Sequence, residues 1–292
     1  MTTPLAAGST WTFDAIGTSW AIETASALDS VARDAVSNLV ECFDREWSRF
    51  RDDSLVSALG EGRVASVPAP SDADAMLSLY DELDAATAGA VNPLIGEALA
   101  RLGYDARVSL VSSGDPAPAP PWRETLTWDD GRVAVARPVT IDVGAVGKGR
   151  LVDLVLDTLR DRVDGDIVVD ASGDLALRGA PVRVALEHPY DATRAIGVVT
   201  VTDGALCASA INRRAWGEGL HHVLDARTGA PVRAFAATWA LADTAMRADA
   251  LATALFFDGG PELAAAWDAH WVRMSTDGRV EWSPAFPGEI FA

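Results

Sequence analysis

The first apolar stretch, Trp11 to Ile22, partly alternates and is rich in β-formers, which predicts a strand with Gly17 inside it. Residues 27–47 switch to helical spacing, with Val31, Ala35, Leu39, Cys42 and Phe43 on one stripe. A second helix is predicted from Asp72 to Ala88, turning Met76, Leu79, Tyr80 and Leu83 inward, with Ser71 and Asp74 in a capping arrangement. The segment SSGDPAPAPP, 112–121, reads as a plain loop, because its four prolines cannot continue a helix or a central strand. Strand-like runs at 124–128, 132–135 and 139–143 precede a helix from about Val146 to Arg160. Further strands fit 166–170, 175–177, 182–187, 196–202, 205–209, 221–224 and 235–242. Helices fit Met246 to Phe257 and Pro261 to His270, and WVRMSTDGRVEWS reads as a hairpin turning at Asp277-Gly278. Strands dominate the second half without regular βα alternation, so the predicted class is α+β rather than a doubly wound sheet.

Composition narrows the functions available. The chain has 292 residues, 49% of them hydrophobic and 23% charged, which predicts a globular protein and is read as a single domain, 1–292. Asp and Glu number 42 against 24 Lys and Arg, a formal net charge of −18. Such a field repels nucleic-acid backbones and anionic lipid, so neither is an expected partner, and a bound nucleotide would need a local cation or metal. No run approaches the roughly 18 apolar residues of a membrane span. The opening MTTPLAAGSTWTFDAIGTSW shows no signal peptide or lipobox, so a cytoplasmic protein is expected. Cys42 and Cys207 form no CxxC motif, which argues against a cysteine zinc site, and a disulfide is not expected.

Four segments carry candidate chemistry. In Ile141–Arg150 (IDVGAVGKGR) a strand ends in glycines 144, 147 and 149, and a helix starts with Lys148 near its first turn. Helix-start N–H groups and a lysine attract phosphate, although the spacing is not a Walker A loop and a tight turn with a solvated lysine fits equally. In Met246–Leu255, Asp249 and Thr253 are four apart, so both oxygens leave one helix face and suit Mg²⁺. The plain alternative is an aspartate favouring the helix dipole and a threonine bonded back to its own helix. His221 and His222 open a strand-to-turn segment ending at Pro231, where an imidazole could move a proton or orient a phosphate, or be structural. Asp170–Asp174 (DASGD) is a turn whose glycine permits close approach of a ligand or of neighbouring backbone. There is no GxSxG elbow, and nothing selects a pair of carboxylates.

Taken in order, these segments resemble the ApbE-type flavin transferases, FAD:protein FMN transferase. The resemblance runs from Ile16-Gly17-Thr18 to Asp258 through DREWSRF (44–50), TAGAVNP (87–93), IDVGAVGKG (141–149), DASGD (170–174), HVLDARTG (222–229) and ADALAT (248–253). It implies an α+β fold holding FAD beside Mg²⁺, with Asp249, Thr253 and the backbone carbonyl of Ala145 as metal ligands. Flavin contacts are implied for Ile16, Phe50, Ala90, Val91, Asn92, Asp142, Lys148 and His222. His222 is also expected to act in catalysis, as few other groups titrate near neutrality, and His221 to matter less. Asp249, near a helix start, is expected to tolerate solvent. The implied reaction is Mg²⁺-dependent transfer of FMN from FAD to a threonine hydroxyl of an acceptor flavoprotein, releasing AMP. An FAD pyrophosphatase giving FMN and AMP, or a non-catalytic FAD-binding protein, are the alternatives. The sequence departs from the family pattern at Ile16 (usually Met), Asn92 (commonly Asp), Ser172 (usually Gly) and Ala226 (usually Pro). It departs also at SAINRRAW (209–216), which replaces Thr-Ser-Gly followed by an aromatic residue.

Overall fold

The computed structural model describes residues 8–291. The leader expectation rests partly on residues 1–7, which lie outside the described residues. The fold is α+β, and every strand pairing among the described residues is antiparallel. By contact density the chain divides into two compact units. Among the described residues, one comprises 8–41, 148–212 and 233–291; the other comprises 42–147 and 213–232.

The first unit is built on an eight-stranded sheet. Its spatial order is Ser9–Ala15, Thr18–Thr24, Ile167–Asp170, Asp174–Arg178, Ala205–Ala210, Phe235–Ala242, His270–Ser275 and Val280–Trp282. A three-stranded sheet, Gly288–Ile290, Asp191–Val201 and Val182–His188, packs its apolar face against it. Val168, Leu177, Leu206 and Trp239 meet Val184, Leu186 and Val199 in that core, where alternation along each strand supplies the buried face. The helix Ala245–Ala254 packs on the strands Ala205–Ala210 and Phe235–Ala242, tied to the latter where Thr238 Oγ1 donates to the Ala252 carbonyl at 2.6 Å.

The second unit carries the helices Leu55–Gly60, Ala73–Thr87 and Gly96–Arg101, and a small sheet in which Arg132–Val135 lies between Ser66–Pro68 and Leu126–Asp129. Leu99, Leu102, Trp216 and Leu224 form a core cluster there. Residues 112–121 carry no helix or strand, as their prolines dictate.

Several elements differ from expectation. Gly17 lies not inside a strand but in a two-residue hairpin turn between Ala15 and Thr18, with Ile16 at φ 46° and Gly17 at φ 74°. The helix Ser30–Trp47 buries Ala32, Val36, Val40, Phe43 and Trp47, while Val31 is 68% exposed. Both stripes satisfy the helical period, and the one ending in Trp47 carries the larger residues inward. The helix Ala73–Thr87 has Asp72, not Ser71, at its N-cap, without a side-chain capping bond. Residues 139–143 form no strand, and the main-chain groups of Asp142 are taken by residues distant in sequence: its N–H donates to the Pro93 carbonyl at 2.8 Å, and its carbonyl accepts from Tyr80 Oη at 3.1 Å. The run 221–224 divides into the two-residue strands Leu220–His221 and Leu224–Asp225, each in its own small hairpin. Both cysteines are free thiols. No helix among the described residues is long and apolar enough to cross a membrane.

Candidate functional site

In the first unit, two helices exchange carboxylates. The Gly149 N–H, in the first turn of the helix Gly147–Arg160, donates to Asp249 Oδ2 at 2.9 Å. In the opposite direction, Asp153 of that helix accepts the N–H groups of Ala245 (2.7 Å) and Met246 (2.9 Å). Thr244, the N-cap of the helix Ala245–Ala254, accepts the Arg247 N–H at 3.3 Å, so three N–H groups that a helix start leaves unpaired all have side-chain acceptors. Asp249 is therefore not the solvent-tolerant carboxylate expected: it is 6% exposed and held from the neighbouring helix. Thr253 is half-buried one turn further along the same helix face.

Lys148 Nζ lies 2.7 Å from Asp174 Oδ2 and donates to the Ala171 carbonyl at 3.3 Å. Asp174 is 0% exposed, and neither of its oxygens accepts a well-aligned hydrogen bond among the described residues, so the lysine charge is what balances it. Desolvation pulls the Lys148 pKa down, but Asp174 and Asp249 together hold it above the ordinary lysine value. In the adjoining turn, burial pushes the Asp170 carboxyl up, and its Oδ1 accepts the Gly173 N–H at 3.1 Å. Ser172, where the family pattern has glycine, takes φ 54° and anchors the turn by donating from Oγ to the Ser19 carbonyl at 2.8 Å. Ile16, at the N-terminal hairpin, is half-buried.

In the second unit, Asp142 is the centre. Arg49 Nε donates to its Oδ2 at 2.6 Å, and the Gly144 N–H donates to its Oδ1 at 2.8 Å. Desolvation raises this carboxyl, but Arg49, the Gly144 bond and the Arg214 charge outweigh it, and Asp142 stays ionised below the usual carboxylate range. The Arg49 guanidinium stacks 4.3 Å from the Phe50 ring centroid and donates through Nη1 to the Tyr104 carbonyl at 2.9 Å. Phe50 is 40% exposed and edge-on to Tyr104, which in turn stacks on Trp216. His222 is half-buried; its desolvation, then the charges of Arg214 and His221, lower its pKa to about 3, so the ring is neutral at physiological pH. Its Nδ1 has no hydrogen-bond partner among the described residues. The neighbouring His221 is buried and bonds through Nε2 to the Val232 carbonyl at 2.9 Å.

Ala90, Val91 and Asn92 are buried. Val91 N–H donates to Thr87 Oγ1 (3.1 Å), and the Asn92 side chain bridges the Pro120 carbonyl (3.0 Å) and the Leu94 N–H (2.8 Å). The Ala226 N–H donates to the Ala90 carbonyl at 2.9 Å, a bond that the proline usual at this position could not make. Ala145 is half-buried, and its N–H donates to Tyr80 Oη at 3.4 Å.

The structure thus groups Lys148 with Asp249, and Asp142 with His222, within their respective units. Sequence reasoning missed Arg49 and Asp153. Asp153 stands four residues after Gly149 on one helix face, but aspartates amid apolar helix positions carry no motif.

An antiparallel α+β scaffold with a glycine–lysine helix start and a carboxylate–hydroxyl helix face defines the class. A family model described as the ApbE family matches residues 16–273, and the chain belongs to the ApbE family. It is 28% identical over 311 residues to the FAD:protein FMN transferase of Rhodobacter capsulatus, covering 96% of this chain and 58% of that protein. It therefore spans little more than half of that relative. A FAD:protein FMN transferase of Vibrio cholerae is 25% identical over 242 residues, 77% of this chain and 72% of the relative. Among solved structures, the ApbE protein of Thermotoga maritima superposes with a TM-score of 0.83 at 22% identity, covering 96% of this chain and 98% of that one. The flavin transferase ApbE from Vibrio cholerae superposes with a TM-score of 0.79 at 21% identity, covering 94% and 96%. At these identities the structural likeness carries the fold.

Proposed function

We propose that this chain is a Mg²⁺-dependent FAD:protein FMN transferase, which moves FMN from FAD to a threonine hydroxyl of an acceptor flavoprotein and releases AMP. The observation that supports this best is Asp249, a buried carboxylate fixed by Gly149 and followed one turn later by Thr253, inside a family match spanning most of the chain.

The donor chemistry fits Mg²⁺. No cluster of three His, Cys, Asp or Glu side chains able to hold a metal occurs among the described residues, so an ion at Asp249 would have fewer than three ligands of those types. Mg²⁺ commonly binds that way, keeping waters and taking phosphate oxygens, and the Thr253 hydroxyl is a hard ligand of the same kind. The Ala145 carbonyl is the third ligand that the resemblance implies. Bound Mg²⁺ supplies charge neutralisation at the pyrophosphate.

The remaining roles belong to the chain's own groups. Lys148, its side chain 21% exposed and its charge held by Asp174, offers a fixed cation to a phosphate oxygen. Phe50 offers an exposed ring face to a planar heterocycle, backed by the Arg49–Asp142 pair. His222 is the proposed acceptor of the threonine proton. An anionic substrate beside it would offset the Arg214 charge and raise its basicity toward the working range. Ile16, Ala90, Val91 and Asn92 are proposed as further flavin contacts; for the last three the main chain is the part on offer, since their side chains are packed.

The test is incubation of the protein with FAD, Mg²⁺ and an acceptor flavoprotein domain. The expected result is a fluorescent acceptor band with a mass increase of FMN, lost in Asp249→Asn. AMP released equally fast without acceptor would establish a pyrophosphatase instead. Tight FAD binding without AMP would establish a binding protein.

A further inference from the structure

We infer that Asp153 is a positioning residue for the helix face that carries Asp249 and Thr253, an inference that rests on the metal reading above. Asp153 and Gly149 lie one turn apart on the helix Gly147–Arg160, and Ala245 and Asp249 lie one turn apart on the helix Ala245–Ala254. Two carboxylate-to-amide links run between them in opposite directions, Asp153 to the Ala245 and Met246 N–H groups and Asp249 to the Gly149 N–H. With one link alone the helices could pivot about it. Two links one turn apart fix both the register and the rotation of the Asp249 face.

Other contacts tighten the same joint. A Cβ at Gly149 would meet the Ala245 carbonyl and would lie 2.7 Å from Asp249 Cβ, so the helix axes are as close as their backbones permit. Cys207 Sγ donates to the Ala245 carbonyl at 3.4 Å. Asp249 Oδ2 is committed to Gly149, so which way its other oxygen points is decided by the helix pairing that Asp153 closes.

The arrangement is not explained by stability alone. Desolvation raises the Asp153 carboxyl to about 6, against the lowering from its two N–H bonds and Arg150 and with a small raising contribution from Asp157. At neutral pH the fold therefore holds an ionised group in a place that resists the charge. An asparagine keeps one acceptor oxygen without that cost, which separates a positioning role from a merely structural one.

The experiment uses the full chain in three forms, wild type, Asp153→Asn and Asp153→Ala, with the exposed Asp157→Asn as control. Mg²⁺ is titrated calorimetrically without FAD, and Tm is measured at pH 7.5. Asp153→Asn is expected to keep its Tm while Mg²⁺ affinity falls about tenfold, as for groups that orient metal ligands. The Mg²⁺ concentration for half-maximal turnover should rise with it, with kcat at saturating Mg²⁺ retained. Asp153→Ala should lose both Tm and affinity, and Asp157→Asn neither. Mg²⁺ affinity within twofold of wild type in both Asp153 variants would overturn the inference. Absence of Mg²⁺ binding by the wild type, in this titration and in one repeated with FAD present, would remove the metal reading itself.

Discussion

Gly149 and Asp249 are joined by one hydrogen bond of 2.9 Å from main chain to carboxylate, and nothing larger than glycine fits at 149. Adding a single methyl there drives it into the Ala245 carbonyl and the Asp249 Cβ, both parts of a packed helix that cannot yield cheaply. Gly149→Ala is expected to cost about 3 kcal/mol, the upper end for overpacking a core. Urea denaturation measures this, and a midpoint unchanged from wild type would refute the close approach.

Lys148 and Asp174 stand or fall together. Lys148→Met leaves a fully buried carboxylate without a counter-charge, an uncompensated burial worth about 3–5 kcal/mol. Adding Asp174→Leu should recover most of that stability. FAD affinity should not recover in the double variant if Lys148 also meets a phosphate. Chemical denaturation and fluorescence titration of FAD on the same samples separate the two roles.

For His222 the sign of the pH effect is set by burial. Its pKa of about 3 lies below the ordinary histidine value, so the unfolded chain binds a proton that the folded chain refuses. The neutral ring's contribution to stability is complete above about pH 6.5 and drains away as pH falls toward 3. Stability of His222→Gln measured from pH 7 to pH 4.5 should fall less steeply than that of wild type. The pH profile of kcat/KM, which reports the free protein, should show no limb near 6.5 from this residue. His222→Gln is expected to lower turnover by about 10²-fold. His221→Ala should instead lower Tm, because His221 is a packed side chain tied to Val232.

Ile16 pairs a β-branched side chain with a left-handed backbone at φ 46°, a conformation that disfavours it by about 1–2 kcal/mol. Asn followed by Gly is the favoured pair for a two-residue hairpin turn. Ile16→Asn is accordingly expected to raise stability by about 1 kcal/mol, near the lower figure for the strain removed. A weaker FAD affinity in the same variant would show that the strain is retained for the apolar contact. Thermal melts and FAD titration measure the two effects.

What could be read from the chain was whatever its periodicity expressed locally. Arg132–Val135 stands where alternation placed it, and the helix Ala245–Ala254 puts Asp249 and Thr253 on one face as their spacing required. Failures came where tertiary partners decide. The Ser30–Trp47 helix admits two stripes of equal period, and only packing selects the one with Trp47. Residues 139–143 have strand composition, yet the Tyr80 hydroxyl and the Pro93 carbonyl claim the main-chain groups of Asp142. Asp249 looked solvated because a helix start usually is, and the Gly149 amide that buries it lies a hundred residues earlier. Asp153 escaped for the same reason.

The pairing of Thr18–Thr24 with Ile167–Asp170 also constrains how the protein is made. Ile22 sits opposite Val169, so the N-terminal hairpin has no neighbour in its sheet until that later strand leaves the ribosome. At ordinary synthesis rates the wait is on the order of ten seconds, during which the main-chain N–H and C=O groups along that edge of the hairpin have no strand to pair with. Closure of so long a loop must also precede the sheet contacts that repay it, which makes the folding of this half slow. Nascent chains released before residue 170 would therefore expose Trp20 and Ile22, which the finished fold buries completely, and nascent-chain length should decide whether a chaperone or the fold claims them first.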